Sequence, residues 1–127
     1  MSKNTNYSVT IESTSKELTA RERVAIKDFT NAIPLDEATK GKSIVLNIDY
    51  YAVLRVHNEK SDNTDYMKVV FVTKDGVKYV TGSENFFDTF IDIWDEMKDT
   101  DVEFSIEVYQ VESKNYKGKT FLTCSIV

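Results

Sequence analysis

Residues 44–56 read IVLNIDYYAVLRV, and their alternation decides the fold class. Every even position is apolar: Ile44, Leu46, Ile48, Tyr50, Ala52, Leu54 and Val56. The odd positions mix Val45, Asn47, Asp49, Tyr51, Val53 and Arg55. Period two sustained over this length predicts one long strand, its even side chains turned to a core and its odd ones turned away. Strands this long bend, and in small barrels a bent first strand serves both sheets.

Downstream, residues 66–73 form a second expected strand and residues 77–81 a third, joined by the turn Lys74-Asp75-Gly76, whose Asp-Gly pair supplies the positive φ of a hairpin. In the second strand the alternation leaves both faces open, with Lys68 favouring its own set as the outward one. Ser83 caps a helix running to about Lys98. Phe86, Phe90, Ile93, Trp94 and Met97 share one face of it, flanked by Phe87 and Ile91, while Asp88, Asp92, Asp95 and Glu96 cover the other. Thr100-Asp101 then turns into VEFSIEVYQV (102–111), with Val102, Phe104, Ile106 and Val108 inward. The last strand is TFLTCSIV (120–127), with Leu122, Cys124 and Ile126 inward. The order strand, strand, strand, helix, strand, strand is that of a mainly β, five-stranded OB-fold barrel with one helix between strands 3 and 4. An open α+β sandwich is the competing arrangement.

Upstream, residues 1–16 are rich in Ser, Thr and Asn and read as a polar N-terminal arm or a weak edge strand around the alternation Tyr7-Ser8-Val9-Thr10-Ile11. TARER favours a helix starting near Thr19. The one proline, Pro34, marks a break, and residues 35–41 a turn or helical fragment. The expected organisation is thus an arm, 1–16, and a single domain, 17–127.

The chain has 127 residues and a formal net charge of -5, so any affinity for a polyanion must be local. It has no apolar run long enough to span a membrane and no signal-peptide h-region, and its lone cysteine fits a reducing, cytoplasmic setting. Catalysis is poorly supplied. His57 reads as a surface or groove residue, Cys124 as a buried thiol, and no phosphate-loop, nucleophile-elbow or metal-ligand pattern is present. No cofactor is expected.

Binding is better supplied. The loop Glu112-Ser113-Lys114-Asn115-Tyr116-Lys117-Gly118-Lys119 joins the last two strands, where OB folds contact nucleic acid. Its Lys114, Lys117 and Lys119 suit phosphates and its Tyr116 suits a base. Tyr109 and Phe121 fall on the outward faces of the neighbouring strands. Tyr51 and Arg55 sit on the less apolar face of the long strand, and Lys68 on the second strand. The plain alternative is that each ring packs in the core or at an edge, and that the lysines form a solvated tip.

ESKNYKGKTFLTCSIV (112–127), Thr73-Lys74-Asp75-Gly76 with VKYVTGSENFFDTF (77–90), and TNAIPLDEAT (30–39) resemble single-stranded-DNA-binding proteins of bacteriophages and mobile elements of Gram-positive bacteria. The resemblance implies an OB fold, sequence-tolerant binding of single-stranded DNA, and work in DNA replication or recombination, in the host cytoplasm if phage-encoded. Housekeeping relatives recruit partners through a flexible acidic tail. Here Ser125-Ile126-Val127 falls in an expected strand, so recruitment of that kind is not expected, and the replication partners stay unknown. RNA is an alternative ligand that the residues do not separate from DNA. Unpaired strand edges leave room for a homodimer. The reading from another class is an acidic protein-interaction module that inhibits a host DNA-processing enzyme.

Overall fold

A computed structural model describes residues 7–60, 62, 64–115 and 118–127. In chain order the elements are β1 (Tyr7–Thr14), α1 (Ala20–Lys27), β2 (Ile33–Pro34), α2 (Leu35–Ala38), β3 (Ile44–Leu46), β4 (Ile48–Asn58), β5 (Asp65–Thr73), β6 (Lys78–Thr81), α3 (Glu84–Met97), β7 (Ile106–Glu112) and β8 (Thr120–Ile126). They form a five-stranded sheet, β1-β4-β5-β6-β2, and a three-stranded sheet, β3-β7-β8.

The mainly β class and the helix between the third and fourth expected strands are observed, but the closed five-stranded barrel is not. A strand has two edges to share. β5 takes one edge of β4, and the N-terminal β1 takes the other, pairing from Tyr7↔Asn58 to Thr14↔Ala52. Only β3 is left for β7, over Ile44↔Val108 to Leu46↔Ile106. The first strand therefore serves both sheets, as its length suggested, but it breaks at Asn47 to do so. The Asn47 carbonyl accepts the Lys74 amide at 2.9 Å, and the Ser105 hydroxyl donates to its side chain.

The phase of the long strand also differs from the alternation. The register shifts between Ile48 and Tyr50. One extra residue exchanges the two faces of every position after it. Leu46 and Ile48 point into the main core on even numbers, but beyond the shift Tyr51 and Val53 point there, while Ala52 and Leu54 enter a second core on the opposite face. Both faces of β4 are covered. Leu18, Ile26 and Ala32, contributed by α1 and its flanks, close the second core over Ala52, Leu54, Val70, Val72 and Val80. This also corrects the outward placement of the Lys68 set, because Val70 and Val72 are buried.

The main core gathers Tyr51, Val53, Val69 and Phe71 from the large sheet, Phe86 and Phe90 from α3, and Ile106, Val108, Leu122 and Cys124 from the small sheet. Aromatic rings fill its centre. Phe90 lies 4.8 Å from Phe71 and 5.4 Å from Tyr51, both edge-to-face. Such pairs add about 0.5–1.5 kcal/mol each beyond area burial. The starts of α1 and α3 are capped by side chains, that of α3 by Ser83 as the sequence suggests. Thr19 and Glu22 form a reciprocal capping box, and Ser83 Oγ accepts from the Phe86 amide at 3.1 Å. The expected fourth strand starts late, at Ile106. Residues 102–105 are not strand, Val102 is exposed, and Phe104 packs on Trp94 at 6.0 Å. Ile126, expected inward, is half exposed at the end of β8.

Candidate nucleic-acid interface

The small sheet has an inner face that supplies the core and an outer face open to solvent. Register places Val45, Glu107, Tyr109, Val111, Phe121, Thr123 and Ser125 together on the outer face, through the pairs Val45↔Glu107, Tyr109↔Thr123 and Val111↔Phe121. Phe121 is 50% exposed and Val45 57% exposed, so two large apolar side chains stand open to solvent on this face. Tyr109 is half-buried, its hydroxyl 2.6 Å from Ser125 Oγ, so its ring is steered toward the C-terminal end of β8 and away from Phe121. The two rings thus occupy separate positions along the face.

The β7–β8 loop closes through the Ser113 amide on the Lys119 carbonyl at 2.8 Å, with Gly118 at φ +80° making the reversal. Lys114 and Lys119 are exposed at its base. Tyr116 and Lys117, the other two expected contacts in this loop, lie outside the described residues. At the far end of the face Glu107 accepts from the Ser43 hydroxyl at 2.9 Å. Glu107 thus stands at one end of the face and the exposed Lys114 and Lys119 at the other.

The remaining expected residues do not join this face. Tyr51 is a correction. The shift at Ile48–Tyr50 turns its ring into the core among Phe71, Phe87, Phe90 and Trp94, and burial, with Asp95 nearby, raises its phenol pKa. Arg55 and Lys68 belong to the five-stranded sheet, opposite Met67 and Leu54 respectively, hence on its two different faces. The Arg55 guanidinium is bound to Glu12 at 3.1 Å. It opens onto a concavity of about 470 Å³ beside the start of α3, where Asp65 and Glu84 also line the wall. Lys68 Nζ sits 5.9 Å over the Tyr66 ring. One shared groove for all the expected residues is therefore not what the fold builds.

A segment that sequence reading passed over stands beside the face instead. Residues 39–43 lie along the edge of β7 beyond the end of β3. With Tyr109, Gln110 and Thr120, the Thr39, Gly41, Lys42 and Ser43 of this segment line a concavity of about 380 Å³. The signal was in the spelling: Lys40-Gly41-Lys42 repeats Lys117-Gly118-Lys119.

The family of the chain follows from comparison with known proteins. The family model of phage single-stranded DNA-binding protein, of the phi29 type, matches residues 3–127. The chain belongs to this family. No curated protein and no solved structure matches it. As a phage single-stranded DNA-binding protein it has single-stranded DNA as its ligand. None of its helices, among the described residues, is long and apolar enough to cross a membrane, and no cluster of three or more metal-ligating side chains is found among them. The Cys124 thiol is buried and its pKa is pushed up to about 11 by desolvation, which keeps it protonated and inert.

The single histidine of this phage single-stranded DNA-binding protein lies on the large sheet, away from the open face. Its Nδ1 is 2.9 Å from Asp65 Oδ1 and its Nε2 3.5 Å from Glu59 Oε1. The hydrogen bond to Asp65 and then that to Glu59 outweigh desolvation, so the His57 pKa is raised above its ordinary 6.5. A raised folded-state value stabilises the fold fully below the unfolded value and is lost as pH rises through the folded one. Thermal unfolding followed between pH 6 and 8 is expected to show a falling midpoint that flattens in His57→Gln. Parallel profiles for the two proteins would refute it.

Proposed function

We propose that the protein covers unpaired DNA during phage DNA replication or recombination by laying the strand across the outer face of β3-β7-β8. Bases stack on Phe121 and Tyr109, and phosphates meet Lys114 and Lys119. From their places in the loop, Tyr116 and Lys117 extend the same contacts. The observation that carries this reading is the half-exposed Phe121 on the same face as Tyr109, at the foot of the lysine hairpin. Every base has a π-face, so stacking of this kind tolerates any sequence. Tyr51 is left out of the interface because its ring is in the core. Arg55 and Lys68 are left out because they stand on the other sheet.

The mechanism is tested by affinity for a labelled oligothymidine across a salt series. Binding is expected to weaken steeply, log K falling against log salt by about 0.7 per phosphate neutralised on a single strand. A slope near zero would reject phosphate contacts as a source of affinity. Little difference is expected between oligothymidine and mixed-sequence strands of equal length. An oligouridine in the same assay decides whether the 2′-OH is tolerated.

A further inference from the structure

We propose that the loop 39–43 is a second phosphate-binding element, which takes the backbone of the nucleotide stacked on Tyr109. This deepens the reading above and rests on it. The hairpin supplies cations at the end of the outer face. Loop 39–43 supplies them along the β7 edge, so a strand crossing the rings passes between two lysine-bearing loops.

Three features make this loop more than a stray basic turn. It is held in place. Gln110 Nε2 donates to the Asp36 carbonyl at 3.0 Å and to Thr39 Oγ1 at 2.9 Å, and Thr120 Oγ1 donates to Gln110 Oε1 at 2.7 Å. Thr39 itself is buried and donates to the Leu35 carbonyl at 2.7 Å. One glutamine thus ties the loop to both strands of the hairpin, and its position relative to Tyr109 is fixed before any ligand arrives. The loop also turns sharply, with Gly41 at φ +72° between two exposed lysines, a conformation that side-chain-bearing residues rarely adopt.

Finally, the loop faces a cavity of suitable chemistry. Lys42 brings its ammonium to the concavity, while Ser43, Gln110 and Thr120 beside it already donate within the protein and Tyr109 lines it as well. An ammonium beside an aromatic ring matches a nucleotide's phosphate and base respectively. Among the described residues no ion pair involves Lys40 or Lys42, whereas Lys16, Arg55 and Lys98 are each paired with a carboxylate. Pairing with a phosphate would therefore break no existing bridge.

The test compares oligothymidine affinity over a salt series for the wild type, Lys40→Gln/Lys42→Gln, Lys42→Arg, and Lys60→Gln on the turn after β4. Phe121→Ala is run beside them. The double glutamine variant is expected to bind several-fold more weakly at low salt. Its salt slope should be shallower by about 0.7–1.4, one or two phosphates' worth. Lys42→Arg and Lys60→Gln should keep the wild-type slope. Thermal unfolding of the variants, whose changed side chains are exposed, is expected to be unaltered. If the double variant keeps the full slope while Phe121→Ala weakens binding, the loop is off the strand's path and the face reading stands. If Phe121→Ala is also without effect, both readings fall. If Lys60→Gln flattens the slope as much as the double variant, the effect is one of overall charge, and the proposal is overturned.

Discussion

Phe121→Ala is expected to cost about 1–3 kcal/mol of single-stranded DNA binding, roughly a 5- to 150-fold rise in Kd, while leaving the protein folded. The asymmetry follows from where the ring stands. It is 50% exposed and belongs to neither core cluster, so its removal opens no cavity. A base stacked on it would lose a whole π-face. Tyr109→Ala should weaken binding to a similar degree. It also removes the hydroxyl bonded to Ser125, so a small loss of stability accompanies it. Tyr109→Phe separates the effects by keeping the ring and deleting the hydrogen bond, and it should bind nearly as the wild type does. The measurement is a titration of fluorescent oligothymidine at low salt, with circular dichroism to check the fold. Wild-type affinity in both Phe121→Ala and Tyr109→Ala would remove the outer face of the small sheet from consideration.

Tyr51→Ala should behave in the opposite way, with stability falling by about 3–5 kcal/mol, the usual range for truncating a large aromatic side chain in a core. Four rings surround Tyr51, at centroid distances from 5.4 to 6.4 Å, and they include Trp94 and Phe87 on α3. Deleting it removes its ring contacts with Phe87, Phe90 and Trp94 and leaves Phe71 to hold the large sheet to α3 through Phe86 and Phe90. Urea unfolding is the appropriate readout, with a lower midpoint at an unchanged slope. Tyr51→Phe should preserve most of the stability because the ring contacts remain. The informative contrary result is a Tyr51→Ala protein with wild-type unfolding and lost DNA binding. It would mean that the ring meets nucleotides rather than Phe90.

This contrast shows where the sequence was legible and where it was not. The hydrophobic stripe of α3, its Ser83 cap and the turn at Gly76 are local features read correctly from periodicity and turn chemistry, and the two terminal strands were found too, although the first of them was expected to begin at Val102 and begins at Ile106. The outward placement of Tyr109 and Phe121 was also legible, because β7 and β8 keep strict alternation and only one face of their sheet is covered. Tyr51 was misplaced because a single register shift leaves no mark on a run that is apolar on both parities. Closure of the barrel was misjudged because the alternation at Tyr7–Ile11 was too short to show that it would occupy the edge of β4. Lys42 was overlooked because it reaches Tyr109 only through the pairing of Ile44 with Val108, between residues far apart in the chain.

The pairing of β1 on β4 has a kinetic corollary. The β4–β5 and β7–β8 ladders join strands that follow one another along the chain, whereas β1 must find a partner beyond α1, β2, α2 and β3. Loops of that span close late, since their entropy is lost before distant contacts compensate for it. The surface proposed to meet nucleotides would thus mature from a sequence-local hairpin early in folding, and the amino-terminal strand would arrive afterwards as a latch that seals an otherwise adhesive sheet margin against neighbouring chains.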